Sequence, residues 1–157
     1  MINSGLFTSD KDYWETPKGL FDELNEEFSF DLDVAASHSN AKLPKYYTVE
    51  DDALKQKWAG SVFVNPPYGR EIKHWVKKAY EESLLSHNKC VVMLIPSRTD
   101  TSYWHDYIFG KAKDIRFLRG RIKFELNGET KQSAPFPSAV VVFDNHKGKS
   151  DRVRTSI

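Results

Sequence analysis

Six consecutive apolar residues, Cys90-Val91-Val92-Met93-Leu94-Ile95, are closed by Pro96. A run this short and unbroken has no polar face. As a strand it must be covered on both sides, and a sheet covered on both sides needs helices above and below it. Pro96 ends the run because it has no N–H to give a ladder. The remaining sequence supplies what such a sheet requires. Ser61-Val62-Phe63-Val64 reads as a second buried strand that stops at Asn65-Pro66-Pro67. Residues 29–34 alternate polar and apolar, which suits a strand ending near Asp33, and further strands are expected at 115–118, at 139–143 and, as an extra one, at 121–125.

Helical segments lie between these runs. Thr16-Pro17 is a helix start, with Thr16 placed to cap and Pro17 at the first helical position, and Leu20, Phe21, Leu24 and Phe28 follow at helical spacing. Over residues 71–86, Ile72, Trp75, Val76, Ala79, Tyr80 and Leu84 fall on a single face. Strands alternating with helices predict an α/β fold whose mostly parallel twisted sheet is flanked by helices. Residues 37–58 are polar and irregular. A chain of 157 residues, 39% of them hydrophobic, supports one core and therefore one domain. Its expected organisation is an N-terminal arm at 1–12, a domain at 13–145 and a loose polar tail at 146–157.

Several classes of function are disfavoured. No apolar run approaches the length of a bilayer, and the first twelve residues lack the order of a signal peptide, so the cytosol is the expected location. Cys90 is the only cysteine, which excludes a disulfide within the chain and makes redox chemistry a poor reading. Net charge is only +1, so nucleic acid would not be held by a global positive field. Between Lys111 and Lys123, however, six basic residues (Lys111, Lys113, Arg116, Arg119, Arg121 and Lys123) face one acid, Asp114. Such a run is either a solvated face or an edge that touches phosphates. If residues 119–124 are extended, Arg121 and Lys123 point one way while Ile122 and Phe124 pack the other way.

Open parallel sheets put ligands at the carboxyl ends of their strands, which directs attention to Asp33-Val34-Ala35-Ala36, Asn65-Pro66-Pro67-Tyr68 and Pro96-Ser97-Arg98-Thr99-Asp100. The second segment is the most informative. Taken alone it could be a tight turn, since Asn and Pro are ordinary turn residues. It is also a stiff, oxygen-rich loop followed by an aromatic. An exocyclic amine such as N6 of adenine is a poor nucleophile because its lone pair is delocalised into the ring. The Asn65 side-chain oxygen and the Pro66 carbonyl, held by two proline rings, can accept both amine hydrogens and direct the lone pair at a methyl group. No strong base is needed, because methylation makes the amine acidic. Tyr68 offers an aromatic face for a base flipped out of a duplex, worth roughly 1 to 3 kcal/mol of stacking. Metal, pyridoxal or nucleophilic mechanisms leave this arrangement unexplained.

Taken together, the motifs resemble a known family: the compact phage and prophage DNA N6-adenine methyltransferases, often called Dam-like. The resemblance covers residues 14–143. It rests on Trp14-Glu15-Thr16-Pro17, on Phe30-Asp31-Leu32-Asp33-Val34-Ala35-Ala36, and on Asp51-Asp52-Ala53-Leu54 with Trp58. Asn65-Pro66-Pro67-Tyr68-Gly69, Pro96-Ser97-Arg98-Thr99-Asp100-Thr101 and Gly120-Arg121-Ile122-Lys123-Phe124 complete it in order. The resemblance implies a Rossmann-like class I methyltransferase sheet with S-adenosylmethionine over its strand ends. It implies that Trp14, Thr16 and Pro17 sit near the methionine end of that cofactor, Asp33 and Ala35 at its amino acid and ribose, and Asp52 at its adenine amine. Asn65, Pro66, Pro67 and Tyr68 would form the catalytic pocket, with no metal, in a bacterial host cell if the gene is phage-borne.

Asp33 is followed by Ala35-Ala36-Ser37, where many methyltransferases carry a glycine-rich turn, so the cofactor must approach past side chains. Thirty-one residues separate Asp33 from Asn65, too few for a target-reading domain. DNA contacts are therefore expected from Arg98, Arg116, Arg119, Arg121 and Lys123. Alternatives are methylation of adenine in RNA or of glutamine in a protein, both planar amines, and a DNA-binding decoy without cofactor. Oligomeric state and recognition sequence are not legible.

Overall fold

The computed structural model describes residues 14–126, 129–145 and 152–154. The N-terminal arm and most of the polar tail lie outside the described residues.

Helix α1 (Lys18–Phe28) buries Phe21 and Leu24 and ends at Ser29, whose positive φ of 50° turns the chain while its N–H donates to the Asn25 carbonyl. The helix starts one residue later than expected. Pro17 is the capping position and makes no side-chain cap, and Thr16 is used elsewhere.

The main sheet has the order β1-β2-β3-β7-β4-β8, formed by β1 (Leu32–Asp33), β2 (Gly60–Val64), β3 (Asn88–Pro96), β7 (Ser138–Phe143), β4 (Asp114–Phe117) and β8 (Arg152–Arg154). β1, β2 and β3 pair in parallel, β7 runs antiparallel to both β3 and β4, and β8 is parallel to β4. The mixed sheet thus contains one reversed strand, with helices packed against it. As the unbroken apolar run requires, residues 90–96 of β3 are buried throughout and the strand lies inside the sheet.

Helix α2 (Ile72–Ser83) covers the sheet with Ile72, Val76 and Ala79. Its Glu82 side chain accepts from the Trp58 N–H at 2.6 Å, meets His87 Nε2 at 2.9 Å and pairs with Lys78 at 3.4 Å. Burial alone would raise the Glu82 pKa, but those three partners outweigh it and hold the carboxyl below its ordinary value. Gly60 opens β2 at φ 79°, and a Cβ there would meet Asp31 Oδ2 at 2.4 Å, so no other residue fits without displacing Asp31.

Three stretches depart from expectation. The strand expected over 29–34 is only two residues long, because α1 runs to Phe28 and Ser29 turns the chain before pairing begins. A hairpin of β5 (Lys123–Leu126) and β6 (Glu129–Ser133) stands apart from the main sheet, and polar β6 carries no apolar signal of its own. Part of the tail expected to be loose forms β8 on the edge of β4, where pairing uses backbone groups and leaves Val153 56% exposed.

Candidate active site

Asn65 is the first residue beyond β2, whose last rung pairs Val64 with Met93. Pro66 and Pro67 stop the ladder there and leave the loop over the carboxyl ends of the parallel strands. The Asn65 amide nitrogen donates to the Trp14 carbonyl and, at 3.0 Å, to Thr16 Oγ1. A carbonyl can only accept, so the nitrogen must face this pair and the oxygen must lie on the other branch of the amide. That oxygen, Asn65 Oδ1, is buried and has no hydrogen-bond partner among the described residues.

Tyr68 is 6% exposed, and its hydroxyl donates to the Leu94 carbonyl at 3.0 Å. Its ring meets Phe136 edge-on at 5.6 Å and Phe124 at 6.3 Å. Burial pushes the phenol well above its ordinary pKa, so it stays protonated and is no general base.

Two recesses flank the loop. A cleft of about 290 Å³ is walled by Val34, Ala35, Ala53, Pro67 and Trp75, with Asn65 and Asp52 also on its lining. The second recess, of about 420 Å³, is bounded by Trp14, Tyr68, Pro96, Arg98, Tyr103 and Phe136. A narrow hollow of about 40 Å³ brings Trp14, Thr16, Asp33, Ala35, Asn65 and Pro66 together. Within it the Asp33 carboxylate accepts from the Ala35 N–H at 3.4 Å and the Lys42 N–H at 3.2 Å. Burial raises its pKa, partly countered by those two N–H groups. Asp33 therefore organises the glycine-free turn that follows β1. Asp52, on the lining of the 290 Å³ cleft, is half-exposed and in a left-handed conformation (φ 53°), with Lys55 at 3.5 Å.

The family model described as DNA N-6-adenine-methyltransferase (Dam) matches residues 3–156. The chain belongs to that family. It is 35% identical over 150 residues to the DNA N-6-adenine-methyltransferase of Haemophilus phage HP1, covering 92% of this chain and 85% of the phage protein. Identity to the DNA N-6-adenine-methyltransferase of Escherichia phage T1 is 32% over 121 residues, 75% of this chain and 49% of that protein. The chain is thus a DNA adenine-N6 methyltransferase, and the family implies a methyl donor and a DNA substrate.

The structure separates the basic residues that face solvent from one that does not. Arg119, Arg121 and Lys123 are exposed while Ile122 and Phe124 are 8% and 0% exposed, which is the alternation that an extended segment dictates. Arg98 is exposed and lies over the Phe136 ring at 5.7 Å, beside the second recess. Arg116 is a correction to the expected DNA contacts. It is 4% exposed, bonds Glu27 through both terminal nitrogens at 2.7 and 2.5 Å and Asp114 at 2.9 Å, and covers Phe28. Hydrogen bonding to Glu27 raises its pKa further, so this charge is committed inside the fold. In sequence it is indistinguishable from its neighbours, because Glu27 and Phe28, which enclose it, come from α1.

Sequence reasoning also missed the walls of the recesses. Trp75 had appeared only as a helix-face residue, and Tyr103 and Phe136 carried no motif. Among the described residues no cluster of three or more His, Cys, Asp or Glu is placed to hold a metal, and no helix is long and apolar enough to cross a membrane.

Proposed function

We propose that the enzyme transfers a methyl group from S-adenosylmethionine to N6 of an adenine turned out of DNA, with Asn65, Pro66, Pro67 and Tyr68 forming the catalytic pocket. The observation that carries this assignment of residues is the buried Asn65 Oδ1, unpartnered among the described residues. An unpaired buried acceptor costs roughly 1 to 3 kcal/mol, and a ligand bearing an N–H donor relieves that cost. Adenine N6 is such a donor. Asn65 Oδ1 would take one of its hydrogens and the Pro66 carbonyl the other, which localises the nitrogen lone pair. The two proline rings hold both acceptors still, so little reorganisation is needed when charge develops.

The cleft between Val34, Ala53 and Trp75 fits the cofactor's chemistry. They offer apolar cover for an adenine ring, and Asp52, half-exposed on the same lining, can accept from its amine. Trp14, Thr16 and Pro17 would border the methionine end, with Asp33 and Ala35 toward the amino acid and ribose. S-adenosylmethionine bound there supplies an electrophilic methyl on a cationic sulfur. The target base would enter through the second recess, where Tyr68, Trp14 and Phe136 give it aromatic walls, and point its amine at Asn65 and Pro66 on the lining of the narrow hollow that also borders Trp14. Arg98, Arg119, Arg121 and Lys123 would hold the phosphates. We also read the sheet as the Rossmann-like class I type, supported by the single reversed strand β7 between β3 and β4. The phage relatives suggest action on DNA in a bacterial cytoplasm.

Two measurements test this reading. Calorimetry with S-adenosylmethionine separates an enzyme from a DNA-binding decoy, and mass analysis of nucleosides from treated DNA identifies the methylated atom. Asn65→Ala should cost on the order of 2.7 to 4 kcal/mol in the transition state, about a hundredfold or more in turnover, with cofactor affinity within a few fold. Retention of more than about a tenth of the turnover would remove Asn65 from the mechanism.

A further inference from the structure

A glycine-rich turn after the first strand of such a sheet offers bare backbone N–H groups to an anion. The turn after β1 has none to offer. The Val34 N–H donates to the Phe63 carbonyl at 3.2 Å, Ala35 to Asp33 Oδ1 at 3.4 Å, Ala36 to the Tyr47 carbonyl at 3.0 Å and Ser37 to Asn40 Oδ1 at 2.7 Å. Farther along, the N–H groups of Asn40, Ala41 and Lys42 donate to Ser37 Oγ, the Ser37 carbonyl and Asp33 Oδ2. His38 and Ser39 are exposed and line neither the 290 Å³ cleft nor the narrow hollow. Both Asp33 carboxylate oxygens thus accept from this turn and close it to a ligand.

Side chains stand where free N–H groups would have been. Asn40 lines both the cleft and the hollow, and Lys42 lines the hollow. The Ser37 N–H fixes the Asn40 oxygen, so the amide nitrogen is the end that remains to donate. Lys42 is the one cation on the hollow's lining, and its ammonium makes no ion pair among the described residues. Its charge is still felt there: burial raises the Asp33 pKa, and Lys42 is among the groups that oppose the rise. Acidic Glu15 and Asp33 share the lining, so a ligand end bearing one ammonium and one carboxylate meets charges of both signs. A ligand that reaches from the cleft into the hollow passes Ala35, Asn40 and Asn65, which border both.

We propose that Lys42, together with the Asn40 amide, binds the carboxylate at the amino acid end of the methyl donor, in place of the backbone cradle that this turn cannot form. The proposal rests on the reading that S-adenosylmethionine lies with its adenine in the cleft and its amino acid end in the hollow. Lys42 meets the carboxylate as a full charge and Asn40 as a neutral donor, so the lysine carries the larger share.

The test is calorimetry on the full-length chain with S-adenosylmethionine and with decarboxylated S-adenosylmethionine, which keeps the sulfonium, ribose, adenine and amine and lacks only the carboxylate. The wild-type protein should prefer the first. Lys42→Met should weaken S-adenosylmethionine binding about tenfold or more, the effect of losing a hydrogen bond between charged groups. It should leave the decarboxylated ligand as tightly bound or tighter, because a cation that repels it has gone. Lys42→Arg should keep most of the preference. Asn40→Asp retains the acceptor for the Ser37 N–H but removes the donor, and should cut the preference roughly threefold to tenfold. Melting temperature checks folding, and Lys42→Gln replaces the methionine variant if that one melts below the assay temperature. Equal weakening of both ligands by Lys42→Met, a wild-type preference that it leaves intact, or no wild-type preference at all would overturn the proposal. If the wild-type protein binds neither ligand, the cofactor reading itself fails, and that outcome is visible without any variant.

Discussion

Replacing Arg116 with methionine separates a structural cation from a DNA-contacting one. The substitution keeps the length of the stem over Phe28 and removes the charge. Two carboxylates each lose a partner, and they do not lose equally. Glu27 is 49% exposed, so water replaces most of what Arg116 gave it, and that bridge is worth on the order of 1 kcal/mol or less. The Asp114 side chain is 7% exposed and loses its 2.9 Å bond to Arg116 inside the protein, while its other contacts remain. Breaking a buried pair by removing one member costs about 3 to 5 kcal/mol, and methionine packing together with the remaining contacts of Asp114 recovers a part, so a net loss of about 3 kcal/mol is expected. For a domain of this size each kcal/mol moves the melting temperature by roughly 2 to 4 °C, which predicts a fall of about 6 to 12 °C. The assay is a thermal melt followed, below the transition, by a salt titration of DNA binding. The logarithm of affinity against the logarithm of salt should keep its wild-type slope. A melt within about 2 °C of wild type, with a slope reduced by about 0.9, would refute the reasoning and return Arg116 to the phosphates.

The complementary outcome is expected at the exposed edge: Arg121→Ala with Lys123→Ala should reduce the salt slope by up to about 1.8 with an unchanged melting temperature, and an unchanged slope in the folded double mutant would make the edge a solvated face. Asp52 tests the cofactor cleft, and because it sits at φ 53° the clean substitution is Asp52→Gly, which removes the carboxylate without strain. S-adenosylmethionine affinity should weaken about fivefold, the low end of the cost of an unpaired amine because Asp52 is half-exposed, and equal affinity by calorimetry would make it a loop residue. Glu82 tests the fold against pH. Its carboxyl is held below the ordinary value of 4.5, so its contribution is present above that pH and is lost as pH falls through the lowered folded value. Denaturant unfolding from pH 7 to 3 should therefore be flatter in Glu82→Gln than in wild type, and parallel curves would show that Glu82 is not coupled.

The sequence by itself determined the strands whose burial is total and the loop whose chemistry is local. Cys90 to Ile95 could only be an interior strand, and Asn65-Pro66-Pro67 had to end β2 at the sheet's ligand-bearing side. Alternation likewise turned Arg121 and Lys123 outward and Ile122 and Phe124 inward. These follow from periodicity and from the missing proline N–H, which act within a few residues. What spans long separations was decided only by the tertiary structure. Thr16 reads as a helix cap, yet it holds the amide of Asn65, forty-nine positions away. Arg116 reads as one of a run of surface cations, yet Glu27, eighty-nine positions away, completes a pocket that buries it. In both cases the local pattern fixes which atoms a side chain can offer, while the partner that uses them is chosen by which elements the sheet order brings together.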